Sequence, residues 1–217
     1  MTIELAAALA VALKPNRWWG GVTALGDSAV LLPCATFMFF WLYAERSSRN
    51  MAYRWLVLLS TVGLLVLLSK LIFIAWGIGI DALNFTGLSG HSALSAVVWP
   101  LALALIVGAE GRRYRAGGAL IGLVFALLIA ISRVVLSAHS LSEAMLGSLL
   151  GVVCTLAFLF RYGSEWRAEK WRLPAVLSLA LALSLTYGLR FPSTFLLEQI
   201  GSHLNMTDTI HRRQQLP

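Results

Sequence analysis

Residues 132–147 read SRVVLSAHSLSEAMLG. An arginine, a histidine and a glutamate stand here inside or beside an apolar run. Ionisable groups at membrane depth are costly and mark function by default, so the reading turns on whether this run lies in a bilayer. The 217 residues are 59% hydrophobic and 12% charged, whereas a soluble domain is about half apolar and about a quarter charged. Mean hydropathy is +0.78. This composition is that of a polytopic membrane protein. The formal charge of +7 does not indicate nucleic acid, because the basic residues fall between the apolar runs, where they set topology. Cys34 and Cys154 both lie within apolar runs and read as small buried hydrophobes.

A helix crosses the hydrocarbon with about 20 apolar residues. Six segments qualify, near 22–44, 53–79, 91–109, 117–137, 140–160 and 173–190. The expected fold is therefore all-α: a polytopic bundle of about six transmembrane helices forming one integral membrane domain over residues 1–217. Within it, residues 1–21 are expected to form an interfacial N-terminal segment and 191–217 a C-terminal tail. The tail stretch FLLEQIGSHL, 195–204, suits a short amphipathic surface helix. Trp18, Trp19, Trp41 and Trp171 fit interfacial aromatic belts.

The first, third and fifth connections carry Arg46, Arg49 and Arg54; Arg112, Arg113 and Arg115; and Arg161, Arg167, Lys170 and Arg172. The second, DALNFTGLSG, has no Lys or Arg, and the fourth holds only the histidine region. Positive loops stay cytoplasmic, so the second and fourth connections face outward, as do both termini. Lys14, Arg17, Arg212 and Arg213 run against that placement of the termini.

On this topology Asp27, Lys70, Ser89, Gly90, His91, Ser132, Arg133, His139 and Glu143 all fall at the outward ends of the spans, although the charge rule used only the other loops. Lys70 and Arg133 are cations in want of an anion; arginine can grip phosphate oxygens bidentately. TGLSGH, residues 86–91, is a small-residue turn into a helix, whose free amides form an anion site. Two histidines suit phosphoryl transfer, one as nucleophile and one as acid for the leaving oxygen. His139 and Glu143, four apart, share a helix face, so the carboxylate can fix the imidazole tautomer.

Plainer readings exist for each residue alone. Lys70 or Arg133 could snorkel, Ser140–Glu143 fits a capping box, Asp27 could cap a helix, and His203 and His211 read as surface residues. Two histidines with Glu143 and Asp27 could also bind a divalent ion, but Lys70 and Arg133 would crowd it with like charge. Together the residues favour an anion site.

These residues resemble the type 2 phosphatidic acid phosphatase superfamily, which includes lipid phosphate phosphatases and vanadium haloperoxidases. Its signature is K-x6-R-P, then P-S-G-H, then S-R-x5-H-x3-D. Here Ser132, Arg133, His139 and Glu143 keep the third part's spacing, with glutamate for aspartate. Ser89, Gly90 and His91 keep the second, with Leu88 for proline. Of the first only Lys70 remains; Gly77 and Ile78 replace arginine and proline. The resemblance implies a membrane lipid phosphatase that needs no metal or other cofactor. His139 would be the nucleophile forming a phosphohistidine, Glu143 its orienting partner and His91 the general acid. Lys70, Ser89, Gly90 and Arg133 would bind phosphoryl oxygens, with Asp27 and Ser132 as possible supports. The implied substrate is a lipid phosphate or lipid pyrophosphate, met among membrane lipids and not nucleic acid. The expected location is a bacterial cytoplasmic (inner) membrane, with the site facing the periplasm or exterior. The rival functions are a phosphotransferase using the same intermediate and a non-catalytic lipid-phosphate carrier or flippase.

Overall fold

The computed structural model describes residues 14–108, 111–163, 172–204 and 211. Most of the expected N-terminal segment, the tail beyond Leu204 apart from His211, and Arg167, Lys170, Trp171, Arg212 and Arg213 lie outside them, as does the His203 side chain. The helices are α1 (Arg17–Ala24), α2 (Ser28–Ala44), α3 (Arg49–Trp76), α4 (Gly90–Val107), α5 (Arg112–Val135), α6 (Leu141–Tyr162), α7 (Arg172–Thr186) and α8 (Ser193–Leu204). Among the described residues the only β feature is an isolated bridge between Ile80 and Phe85.

Among the described residues, five stretches are long and apolar enough to cross a membrane: Arg17–Ala44, Arg46–Trp76, Gly90–Val107, Arg112–Val135 and Leu141–Tyr162. The first is broken where Asp27 caps α2 by accepting from the Ala29 amide at 2.9 Å. The expected sixth span, 173–190, holds a 15-residue helix, α7, shorter than a full crossing. The second ends at Gly77, whose left-handed φ of 68° stops α3 and lets its amide bond the Phe73 carbonyl at 2.8 Å.

At the centre is α4. Its apolar window is 67% buried, against 17% for α3, and α2, α3, α5, α6 and α7 all pack on it. Two glycine pairs spaced four apart make this possible. On α5, a Cβ at Gly118 would stand 2.6 Å from the Leu103 carbonyl oxygen, and one at Gly122 would strike Pro100. On α6, a Cβ at Gly147 would stand 2.7 Å from the Ser89 carbonyl oxygen, and one at Gly151 would strike the Ala93 carbonyl. In lipid, helix association depends on such close backbone approach and on polar cross-links. Thr155 donates from α6 to the Ala96 carbonyl at 2.9 Å, and Trp99 donates to the Leu25 carbonyl, freed by the break before α2, at 3.2 Å.

Trp19, Trp41, Trp55 and Trp99 are all buried. This corrects the belt reading for Trp19 and Trp41: indole N–H groups bridge helices instead, as Trp41 does to Ser178 and Trp55 to the Ala35 carbonyl. Trp18 is exposed, as a belt requires. Cys34 is buried and Cys154 half-buried, and both are free thiols. The tail stretch is helical as expected: α8 buries Leu197 and packs on α3, where Gly201 meets Ile74.

The packing predicts opposite outcomes for adjacent glycines. Gly118→Ala should destabilise by about 1–3 kcal/mol through backbone clash. Gly117→Ala, with nothing within 4 Å of the new carbon, should be neutral or stabilise by up to about 1 kcal/mol. Thermal melts in detergent check this; equal behaviour of the two variants would contradict it.

Candidate active site

The alternation of the helices sends the chemistry-bearing residues to one end of the bundle. Arg49 and Arg54 begin α3 and Lys70 lies near its end; Arg112, Arg113 and Arg115 begin α5 and Arg133 lies in its last turn. The α3–α4 connection and the α5–α6 turn therefore meet at this end, the one remote from those arginines.

The α3–α4 loop is fastened on both sides. The Leu88 amide donates to Ser69 Oγ at 3.0 Å. Gly87, at φ +143°, lies so close to Lys70 that a Cβ would stand 3.1 Å from its backbone nitrogen and Cα. On the other side the Ser89 amide donates to the Glu143 carbonyl at 3.2 Å, and Ser142 donates to the Leu83 carbonyl at 2.8 Å. Ser89, the N-cap of α4, accepts from the Ser92 amide and hydroxyl and is fully buried. The amides of Gly90 and His91, in the first turn of α4, have no acceptor among the described residues, as expected of a helix N-terminus.

The α5–α6 turn is equally tight. The amides of Ala138 and His139 both donate to the Arg133 carbonyl, at 3.0 and 3.1 Å, around a left-handed Ser137 at φ 54°. His139 Nδ1 lies 2.7 Å from Glu143 Oε2. The same oxygen accepts from the Ser140 amide at 3.1 Å, and Oε1 accepts from the Thr86 amide at 2.8 Å and the Thr86 hydroxyl at 2.6 Å. Ser140 and Glu143 form the full capping box of α6, so Glu143 serves both as cap and as the partner of His139.

His91 has its own carboxylate. Its Nε2 stands 3.6 Å from Asp27 Oδ2, an ion-pair distance rather than a hydrogen bond. Asp27 Oδ1 is taken by the Ala29 and Phe191 amides at 2.9 and 3.0 Å. Arg133 Nη1 donates to Thr23 at 2.9 Å, while its buried Nε has no hydrogen-bond partner among the described residues. Lys70 and Arg133 are near enough for their charges to act on both imidazoles. His139 lies between the spans, and burial, assisted by Lys70 and Arg133, holds its pKa below the ordinary histidine range against the opposing pull of Glu143. Burial and the two cations thus favour the neutral form of this imidazole.

Most of the sequence-derived candidates thus converge, with two differences in detail. Ser132 is buried and donates to the Ile129 carbonyl, a helix-internal contact. Gly77, where the resembling motif carries arginine, stops α3 and packs against the ring of His211, which would stand 2.9 Å from a Cβ there. His211 is exposed, as expected, and its amide donates to the Ile74 carbonyl. Thr86, which fixes Glu143 from the facing loop, stands in a stretch readable only as a turn, and no spacing rule picks it out. Among the described residues no group of three or more His, Cys, Asp or Glu side chains is placed to hold a metal ion; each carboxylate is paired with its own histidine.

Comparison with known proteins gives the family. The sequence model of the PAP2 superfamily matches residues 81–167, a range that includes His91, Arg133, His139 and Glu143 and begins after Lys70. A Klebsiella pneumoniae protein described as "Uncharacterized 22.5 kDa protein in cps region" is 36% identical over 202 residues, covering 91% of this chain and 97% of its own. No solved structure matches the chain. The chain belongs to the PAP2 superfamily, whose activity is of the phosphatase type on phosphate esters.

The His139–Glu143 contact predicts a pH effect with a definite sign. Glu143 raises the pKa of His139, so Glu143→Gln should move the acid limb of phosphate-ester hydrolysis to lower pH. It should also cut the plateau rate by on the order of a hundredfold, because the tautomer is no longer fixed. A pH–rate profile measures both; an acid limb that moves upward would contradict the assignment.

Proposed function

We propose that the protein is a membrane lipid phosphatase that hydrolyses a phosphomonoester or pyrophosphate of a lipid head group through a phosphohistidine, without a required metal. One observation carries the reading. A buried guanidinium nitrogen of Arg133 and the α4 amides of Gly90 and His91, which find no acceptor among the described residues, share one end of the bundle with two imidazoles that each have a carboxylate partner. Donors left unsatisfied at a helix N-terminus suit a tetrahedral anion.

The two imidazoles differ in the way that two roles require. His139 is held by a short contact at Nδ1, which leaves Nε2 with its lone pair for attack on phosphorus. His91 faces Asp27 at an ion-pair distance, a placement that suits the proton donor for the leaving oxygen. Attack forms the Nε2–P bond and breaks the P–O bond. The leaving oxygen takes its proton from His91, which then takes one from the water that cleaves the phosphohistidine. Lys70 and Arg133 balance the charge on the equatorial oxygens.

The lipid part of the reading is supported by an apolar groove of about 410 Å³ between α5 and α6, lined by Leu127, Ile131, Val134, Leu141, Met145 and Leu149. It extends to the ends of the two helices that flank the Arg133–His139 turn, where it suits a hydrocarbon chain entering from the side. The proposed location, the outer face of a bacterial inner membrane, is supported by charge: arginines stand on the remote ends of α3 and α5, and positive ends favour the cytoplasmic side.

His139→Ala should abolish phosphate release, by at least about a thousandfold, with an unchanged melting temperature. His91→Ala should lose on the order of a hundredfold with an alkyl phosphate, and far less with an aryl phosphate whose leaving group needs no proton. Free phosphate released from a panel of lipid phosphates reports both. Full activity in His139→Ala, or equal losses on both substrates in His91→Ala, would overturn the assignments.

A further inference from the structure

Thr86 opens the turn into α4, and no part of the three-part signature uses it. Its hydroxyl donates to Glu143 Oε1 at 2.6 Å and its amide to the same oxygen at 2.8 Å. The other oxygen of that carboxylate, Oε2, meets His139 Nδ1 at 2.7 Å. The capping box of α6 uses Oε2 and the Ser140 amide, so capping does not account for the Thr86 hydroxyl. Nor does fastening of the loop, which the Thr86 and Ser89 amides already tie to Glu143. The residues that follow hold Thr86 in register: Gly87 lies against the Lys70 backbone, and the Leu88 amide donates to Ser69 Oγ. Residues 86–89 therefore run from the proposed phosphate-binding lysine to the carboxylate behind the proposed nucleophile. Donors on a carboxylate stabilise its charge and weaken its hold on a neighbouring proton.

We propose that Thr86 is a positioning residue for phosphoryl transfer: its hydroxyl fixes the Glu143 carboxylate and draws off part of its charge, so that Glu143 aims His139 at phosphorus without locking a proton onto it. The inference rests on the phosphatase reading and adds a residue that regulates the nucleophile of that same site. Among the described residues three charged groups act on His139: Glu143 from α6, in direct contact, Lys70 from α3 and Arg133 from α5. The two cations disfavour the imidazolium and Glu143 favours it. Thr86 acts on the anionic member of the three, from a loop that also packs on Lys70. A neutral donor is suited to this task, because it restrains the carboxylate without competing with the phosphate for a cation.

The test uses purified full-length protein in detergent, with p-nitrophenyl phosphate, whose leaving group needs no proton, and dioleoyl phosphatidate as probes. Thr86→Val removes the hydroxyl and keeps the amide and the shape. It should lower kcat by about tenfold with KM within about twofold of wild type, because Thr86 acts through Glu143 and not on the substrate. It should also move the acid limb of the pH–rate profile to higher pH, by about half a pH unit or more, since Glu143 with one donor fewer stabilises the His139 imidazolium more strongly. That shift is opposite to the one expected of Glu143→Gln. Thr86→Ser, which keeps the hydroxyl, should restore both the rate and the limb. An acid limb that stays in place or moves to lower pH in Thr86→Val overturns the inference, as does a serine variant no better than the valine one. Where the valine variant does not fold, Thr86→Ala is read in the same way; failure of both to fold makes Thr86 a structural residue and also overturns the inference. If the wild type releases phosphate from neither probe, or if His139→Ala releases it as fast as wild type, the phosphatase reading itself fails and takes this inference with it.

Discussion

The Glu143 carboxylate is the joint on which the site depends. It is fully buried, and a buried charge without partners would cost several kcal/mol. It accepts from His139, Ser140 and both donors of Thr86. These partners come from two connections more than fifty residues apart in sequence. One carboxylate thus orients the imidazole, closes the first turn of α6 and ties the α3–α4 loop to the α5–α6 turn. The Ser89–Glu143 backbone bond and the close contact of Gly147 with Ser89 hold the same joint from the main chain. Glutamate in place of aspartate is consistent with this geometry, since the longer side chain reaches back to the Ser140 amide while still meeting His139.

The site is a product of helix ends. A membrane helix cannot expose unpaired backbone groups to lipid, so free amides and charged side chains collect where helices stop. Here α4 starts, α3 and α5 stop and α6 starts at one level. The glycine pairs of α5 and α6 bring those two helices onto α4 closely enough for their ends to share partners. The polar groups fall into two sets. His139, Glu143 and Thr86 form one, and Asp27 with His91 forms the other, while Lys70 and Arg133 act on both imidazoles.

Much of this was legible in the sequence because it rests on short-range rules. The four-residue spacing of His139 and Glu143, the capping box and the polar residues at span ends all rest on helix geometry and the cost of charge in lipid. The capping-box reading of Glu143 holds, and the oxygen that meets the Ser140 amide also meets His139. Asp27 likewise caps α2 and faces His91. The glycine pairs 118/122 and 147/151 were present as a four-residue spacing but were not read as packing surfaces. The partnership of Thr86 with Glu143 and the seat of His211 on Gly77 depend on tertiary contacts that no local pattern encodes. The burial of Trp19 and Trp41 was not legible for the same reason, because a buried indole has the same composition signal as one in an interfacial belt.

The central claim is that His139 becomes covalently phosphorylated. Rapid quenching of the full-length protein with a lipid diphosphate radiolabelled on its distal phosphate, followed by peptide mapping, tests it directly. The account predicts an acid-labile, base-stable label on His139 that forms and decays at rates compatible with turnover. Labelling of a different side chain, or steady phosphate release with no labelled protein at any time point, would contradict it.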